Sequence, residues 1–404
     1  MTLFILGAPH YAGWGNDICD NCAVTLREFE DFFKRRIMTL FCAPKYLDLL
    51  APVMSDTESL ILLPDYDIGF GDHAFSQLKK HIGTLPRLRK LNFEFTIKED
   101  KVYRDLFLDT FSHGTRLTHL VLDIPDYDCW AVVVANCKNL ICGVFDFTHK
   151  PTPLNPTRCQ ISNLESLRNL TLGFRAFATP AVFDYISCPN LTSLRFKAER
   201  GYCDEDWRTD AISHFSNQVR NISHLSFVDV ILPNFSVALR SILQSCSASL
   251  EVLDIEDCFF DPSNESCSLI LQELTIAQEE LHMQDFPLFR LLSIHHAGPT
   301  VGREYLEGSY DPLKKLFGNA PLMSDSEGTL RRRGILNGVM IYTYSPFMYT
   351  HQQLGELHYH ATEGADMPVR FVILVSPDEE EIECYSWQYR IEEDCNQWYE
   401  GLYY

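Results

Sequence analysis

Leu167-Arg-Asn-Leu170-Thr-Leu172 is followed, 24 residues on, by Leu191-Thr-Ser-Leu194-Arg-Phe196. Both read apolar-x-x-apolar-x-apolar. Upstream the pattern recurs as Leu88-Arg-Lys-Leu91-Asn-Phe93 and Leu117-Thr-His-Leu120-Val-Leu122. Downstream it recurs as Ile222-Ser-His-Leu225-Ser-Phe227, Leu250-Glu-Val-Leu253-Asp-Ile255, Leu271-Gln-Glu-Leu274-Thr-Ile276 and Phe289-Arg-Leu-Leu292-Ser-Ile294. Weaker copies are Thr57-Glu-Ser-Leu60-Ile-Leu62, Leu140-Ile-Cys-Gly143-Val-Phe145 and, far downstream, Leu354-Gly-Glu-Leu357-His-Tyr359. Between middle positions 60, 91, 120, 143, 170, 194, 225, 253, 274 and 292 the steps are 31, 29, 23, 27, 24, 31, 28, 21 and 18 residues. A single copy arises readily by chance in a Leu-rich chain; near-regular recurrence does not.

The fourth and sixth places of the pattern lie two apart, so on a strand they share the inward face while their neighbours point outward. Each copy therefore predicts one short strand. Between strands the period becomes helical: Phe75, Leu78, Ile82 and Leu85 are spaced 3, 4 and 3, and Ile212, Phe215 and Val219 are spaced 3 and 4. Thr179-Pro180 reads as an N-cap and first helical proline opening Ala181 to Ile186, and Pro233-Asn234 as the start of a helix over Ser236 to Gln244. One strand-turn-helix unit cannot bury its apolar side alone. Stacked units can, with parallel strands on a concave face and helices on the convex one. The expected fold is an α/β leucine-rich-repeat solenoid, a horseshoe closed by non-repeat terminal caps.

The sequence resembles leucine-rich-repeat proteins, in particular the irregular repeat region of F-box proteins, which often places Cys just before the first Leu. Cys137-Lys-Asn-Leu140, Cys188-Pro-Asn-Leu191 and Cys246-Ser-Ala-Ser-Leu250 carry that feature, and Cys258 takes the Asn/Cys place after Ile255. Elsewhere Thr96, Pro125, Arg175, Glu199 and Val230 stand at that place, so the asparagine ladder of regular repeats is incomplete. The first 55 residues contain no Leu-Pro-x-Glu motif of the kind that opens an F-box. The resemblance implies protein binding, and it implies as an alternative the substrate-recognition subunit of an SCF-type ubiquitin ligase with a Skp1-like adaptor.

The expected organisation is residues 1–55 as an N-terminal helical cap, 56–297 as irregular repeats, and 298–404 as a loop-rich acidic region with capping strands. Thr25 to Leu50 has a helical look, with Leu26, Phe29, Phe32, Phe33, Ile37, Leu40 and Phe41 among basic residues. After Ala297 the rhythm fails; Gly298 to Tyr310 and Gly318 to Gly338 read as loops. Phe371 to Val375 reads as a buried strand, and Trp387, Tyr389, Ile391, Trp398 and Tyr399 as a C-terminal cap.

The chain has 404 residues and a formal net charge of −21. Long-range repulsion makes nucleic acid and anionic membrane poor partners. No apolar run approaches the roughly 18 to 20 residues that span a bilayer. The opening Met1 to Ala8 lacks a basic n-region and is read as no signal peptide. Fourteen cysteines in so long a chain suit reduced thiols in the cytoplasm or nucleus. The sequons at Asn169, Asn190, Asn221, Asn234 and Asn264 would matter only in a secretory setting.

No G-x-S-x-G, G-x-x-x-x-G-K-[ST], H-E-x-x-H or G-x-G-x-x-G signature is present, and the expectation is a non-enzyme without cofactor. Cys19-x-x-Cys22 has the spacing of half a zinc site, with His10 and Cys42 as the local candidates for its completion. That leaves an enzyme or zinc protein as the alternative from another class. His358-x-His360 puts two imidazoles on one face of a strand, and Arg331-Arg332-Arg333 reads as a solvated loop. What remains is the concave face. Its outward residues include Lys90, Asn92, His119, Asp123, Asp146, Thr171, Arg195, Lys197, His224, Asp254, Glu256, Glu273 and His295, basic near Arg195 and acidic near Asp254. A strip of mixed sign suits a protein ligand with a dipolar charge pattern.

Overall fold

The computed structural model describes residues 2–5, 38–44, 47–51, 54–62, 71–82, 85–93, 101–112, 116–147, 161–174, 180–198, 220–228, 235–256, 291–295, 310–311, 313–314, 322–324, 330–332, 338–343, 353, 356–357 and 370–375. The chain divides into two compact units, Met1–Leu167 and Arg168–Tyr404.

In the first unit the strands are β1 (Thr2–Ile5), β2 (Thr39–Cys42), β3 (Ser59–Leu62), β4 (Lys90–Phe93), β5 (His119–Ile124) and β6 (Cys142–Phe147). Each lies parallel to the next in chain order. The register aligns Leu40, Leu60, Leu91, Leu120 and Gly143 in one row, and Cys42, Leu62, Phe93, Leu122 and Phe145 in a second. All of them are buried. At roughly 1.5–3 kcal/mol per buried Leu or Phe, these two rows supply a large share of the stability that offsets chain ordering.

The helices of this unit are α1 (Leu47–Leu50), α2 (Gly71–Ile82), α3 (Lys101–Phe111) and α4 (Tyr127–Asn136), and each packs against the next. Leu78, Phe107, Phe111, Trp130, Val133 and Val134 are buried. Ion pairs tie successive helices together: Asp48 of α1 to Lys80 of α2 (2.5 Å), Lys79 of α2 to Asp109 of α3, and Arg104 of α3 to Asp126 (2.6 Å) and Asp128 at the start of α4. Exposed pairs contribute only about 0–1 kcal/mol each, so their effect is mainly on register.

In the second unit the strands are β7 (Asn169–Phe174), β8 (Ser193–Ala198), β9 (His224–Val228), β10 (Val252–Glu256), β11 (Leu291–His295), β12 (Gly338–Thr343) and β13 (Arg370–Val375). They too pair in parallel and in chain order. Leu170, Leu194, Leu225, Leu253 and Leu292 form one buried row, and Leu172, Phe196, Phe227 and Ile255 another. The rings of Phe196 and Phe227 stack at 5.4 Å. Helix α5 (Phe235–Cys246) connects β9 to β10, and a 3-10 helix, Pro180–Tyr185, follows β7.

A hydrogen-bond relay in front of the strands repeats within each unit. The carbonyl two residues before a core Leu accepts two N–H groups from the next repeat. Glu58 accepts from Arg89 (2.8 Å) and Lys90 (2.9 Å), and Arg89 accepts from Thr118 (2.7 Å) and His119 (3.1 Å). In the second unit Arg168 accepts from Thr192 and Ser193, Thr192 from Ser223 and His224, and Ser223 from Glu251 and Val252. Hydroxyls add a third bond to several of these carbonyls: Thr118 Oγ1 donates to Arg89 O (3.2 Å), Thr192 Oγ1 to Arg168 O (3.0 Å) and Ser223 Oγ to Thr192 O (3.2 Å). Otherwise orphaned backbone groups are thereby satisfied on the side of the strand opposite the incomplete asparagine ladder.

The Cys-x-x-Leu feature is a turn with a buried Cys and Leu at its ends and solvent-facing residues between them. Leu140 N–H donates to Cys137 O and Leu191 N–H to Cys188 O, both at 3.2 Å, as Leu88 does to Leu85 and Leu167 to Leu164. The additional residue after Cys246 is absorbed by a wider turn in which Leu250 N–H reaches Cys246 O at 2.8 Å.

Several expectations need correction. The helix expected over Thr25 to Leu50 is broken by β2, because Leu40 and Cys42 are buried with a period of two; residues 25–37 lie outside the described residues. The expected helix after Thr179-Pro180 is the 3-10 turn. Within the copy at Leu354, the described Glu356 and Leu357 are helical rather than extended. The copy at Leu271 and the helix at Ile212 to Val219 lie outside the described residues. Gly318 to Gly338 is not all loop: Leu322–Ser324 and Leu330–Arg332 form an antiparallel hairpin, which also places Arg331 and Arg332 on a strand. The parallel series continues past Ala297 through β12 and β13, where Val339 and Phe371 take the row of Leu292.

Candidate functional site

The positions between the core rows face away from them, and the register assembles these into lines across the strands. The line in the first unit reads Phe41, Ile61, Asn92, Val121, Val144. It is largely apolar, and Ile61, Asn92 and Val121 are each only 2% exposed. Asp123 pairs in register with Asp146, and Asp123 is 1% exposed. Asn92 and Asp123 are thus buried rather than presented to solvent as expected. Lys90, His119 and Asp146 are half-buried.

The second unit differs. Its middle line runs Thr171, Arg195, Ser226, Asp254, Ser293. Thr171, Arg195, Ser226 and Asp254 are half-buried, and Ser226 Oγ donates to Asp254 Oδ2 at 3.1 Å. The next line runs Lys197, Val228, Glu256, His295, with Lys197 exposed and Val228 buried. Two bases on β8 therefore stand across β9 from two acids on β10, in the same order on both lines. Of the expected face residues this unit brings together Thr171, Arg195, Lys197, His224 and Asp254. Glu256 and His295 take their places by register, and Glu273 lies outside the described residues.

Two histidines occupy equivalent first positions of their strands. Thr118 Oγ1 lies 3.0 Å from His119 Nδ1, and Ser223 Oγ lies 2.8 Å from His224 Nδ1. Each hydroxyl has one proton, which goes to a carbonyl of the preceding repeat. A hydroxyl that gives its proton to that carbonyl is left to accept from the ring, an arrangement that suits the Nδ1–H tautomer. The sequence signal was available: a hydroxyl residue follows the first apolar residue in Leu117-Thr118, Leu191-Thr192 and Ile222-Ser223.

The described thiols offer little chemistry. Cys42, Cys129, Cys137, Cys142, Cys188 and Cys246 are buried thiols. Burial pushes Cys42, Cys188 and Cys246 up to about 12, and raises Cys129, where Asp126 adds to the effect. A thiol so shifted supplies almost no thiolate at neutral pH. Among the described residues no group of three or more His, Cys, Asp or Glu side chains could hold a metal. His10, Cys19, Cys22, His358 and His360 lie outside the described residues.

No family model matches the chain. No curated protein matches it either. The solved structures similar to it include the complex of Rad7 and Elc1 in yeast, at 15% identity and a TM-score of 0.29, covering 71% of this chain and 86% of that chain. The assignment to an α/β repeat stack rests on the strand register described above.

Proposed function

We propose that the chain is a non-catalytic protein-recognition module that docks a protein ligand on the outward face of β8, β9 and β10. The observation that carries this reading is the register of Arg195 and Lys197 against Asp254 and Glu256 across β9. Four charged positions set by the strand register make a dipolar pattern, which favours one orientation of a complementary partner and penalises others. Net charge of −21 disfavours nucleic acid in this role. Buried thiols suit a reducing compartment, cytoplasmic or nuclear.

The test is the combined reversal Arg195→Glu, Lys197→Glu, Asp254→Lys and Glu256→Lys. It should abolish capture of the natural partner from extract while the chain stays folded by circular dichroism. Retained capture removes the reading.

The buried Cys turns at Cys137, Cys188 and Cys246 support a second reading, because they carry the resemblance to F-box repeat regions. In it a Skp1-like adaptor engages residues 1–60 and the repeats present a substrate. Co-purification of the full chain with a Skp1 homologue supports it; no complex removes it.

A further inference from the structure

We infer that the ligand of this face is an extended peptide segment that crosses the strands from β8 to β10, with an acidic residue three positions from a basic one. The inference rests on the docking face proposed above and adds the geometry of what occupies it. Arg195, Ser226 and Asp254 are consecutive in register on β8, β9 and β10, as are Lys197, Val228 and Glu256. Adjacent strands lie roughly 4.8 Å apart, so the backbone positions that carry base and acid stand about 9.6 Å apart on both lines. A segment in the polyproline II conformation rises about 3.1 Å per residue with three residues per turn, which brings residues i and i+3 to the same side at about 9.3 Å. Base-to-acid order is the same on the two lines, so either line selects the same chain direction.

A helix is the poorer fit. Helix-in-groove recognition buries an apolar helix face. On this patch the half-buried outward residues are polar or charged, Thr171, Ser193, Arg195, His224, Ser226 and Asp254, and Val228 is already buried. A β-extended segment is excluded by phase, since residues three apart then point to opposite sides.

The probe is a displayed library of random dodecapeptides, selected in parallel on the intact protein and on its Arg195→Glu, Lys197→Glu variant. Enrichment of acid and base three apart on the wild type, replaced on the variant by two bases three apart, is the expected result. The best wild-type peptide, titrated by fluorescence anisotropy, should bind the variant about tenfold more weakly or worse. A pool that changes with the variant but carries another spacing, seven for a helix, overturns the extended segment and leaves the docking face standing. A pool that ignores the variant overturns both. Absence of any enriched peptide on the wild-type chain overturns the inference alone, and circular dichroism melts of the two proteins establish that the comparison is between folded chains.

Discussion

The ring of Phe145 fills the space that a side chain on Gly143 would take: a Cβ at Gly143 would collide with Phe145 Cε2 and Cζ. Gly143 stands in the row held elsewhere by Leu60, Leu91 and Leu120. Phe145 does not simply swing away, because Trp130 of α4 meets it edge-on at 4.8 Å and also meets Phe147 at 5.7 Å. Gly143→Leu would restore the repeat pattern and yet should destabilise the fold by about 1–3 kcal/mol through overpacking. Gly143→Ala should lie at the lower end. Urea unfolding midpoints, with unchanged slopes, check both.

Asp126 serves two elements at once. Its Oδ1 caps α4 by accepting from Cys129 N–H at 2.8 Å, while Oδ2 takes Arg104 Nε of α3 at 2.6 Å. Asp126→Ala should cost roughly 1–2 kcal/mol, the cap dominating because Arg104 is partly exposed. Asp126→Asn keeps the capping oxygen and should recover more than half of that. Equal losses for the two variants in thermal melts would shift the weight to the ion pair.

The Leu-bearing strands were legible because two inward apolar residues two apart and a third before them leave a strong trace at positions such as Leu88, Leu91 and Phe93. Strands β2 and β12 were not, since Thr-Leu-Phe-Cys at 39–42 sits among residues with helical spacing, and Gly338–Thr343 fills the core rows with Val339 and Ile341 and has no leading Leu. The face was legible as alternation but not as exposure. Asn92 and Lys197 hold equally outward places in their strands, yet one is buried and the other exposed. A period of two encodes which face a residue takes and not how much water reaches it.

Asp48 should leave a mark on the acid limb of stability. Hydrogen bonds from Lys80 and then His81 hold its carboxyl down to about 2 from an ordinary 3.8. A carboxylate depressed in the folded state contributes stability that is whole above its unfolded value and is lost as pH falls through the folded one. The window is therefore pH 4 down to 2. Asp48→Asn should lower the melting temperature at pH 5 and narrow the gap to the wild type as pH approaches 2. Added salt, at about 0.5 M, should shrink the difference, because the pair is exposed to solvent and screened. A gap independent of pH would mean that Asp48 acts by packing alone.

Ser223 separates a structural contact from a positional one. Its hydroxyl donates to Thr192 O at 3.2 Å and lies 2.8 Å from His224 Nδ1. Thr192 O keeps its two backbone donors when the hydroxyl is removed, so Ser223→Ala should cost only about 0.5–1.5 kcal/mol. The larger consequence is at the ring. Without the hydroxyl, the ring of His224 loses the contact that favours its Nδ1–H form, on the edge of the face that carries Ser193 and Arg195. Long-range proton–nitrogen correlation spectra of histidine-labelled protein should show the Nδ1–H tautomer in the wild type and in Ser223→Thr, and its loss in Ser223→Ala. A tautomer indifferent to the alanine would mean that another neighbour orients the ring, and the hydroxyl would then count only as one bond in the relay between repeats.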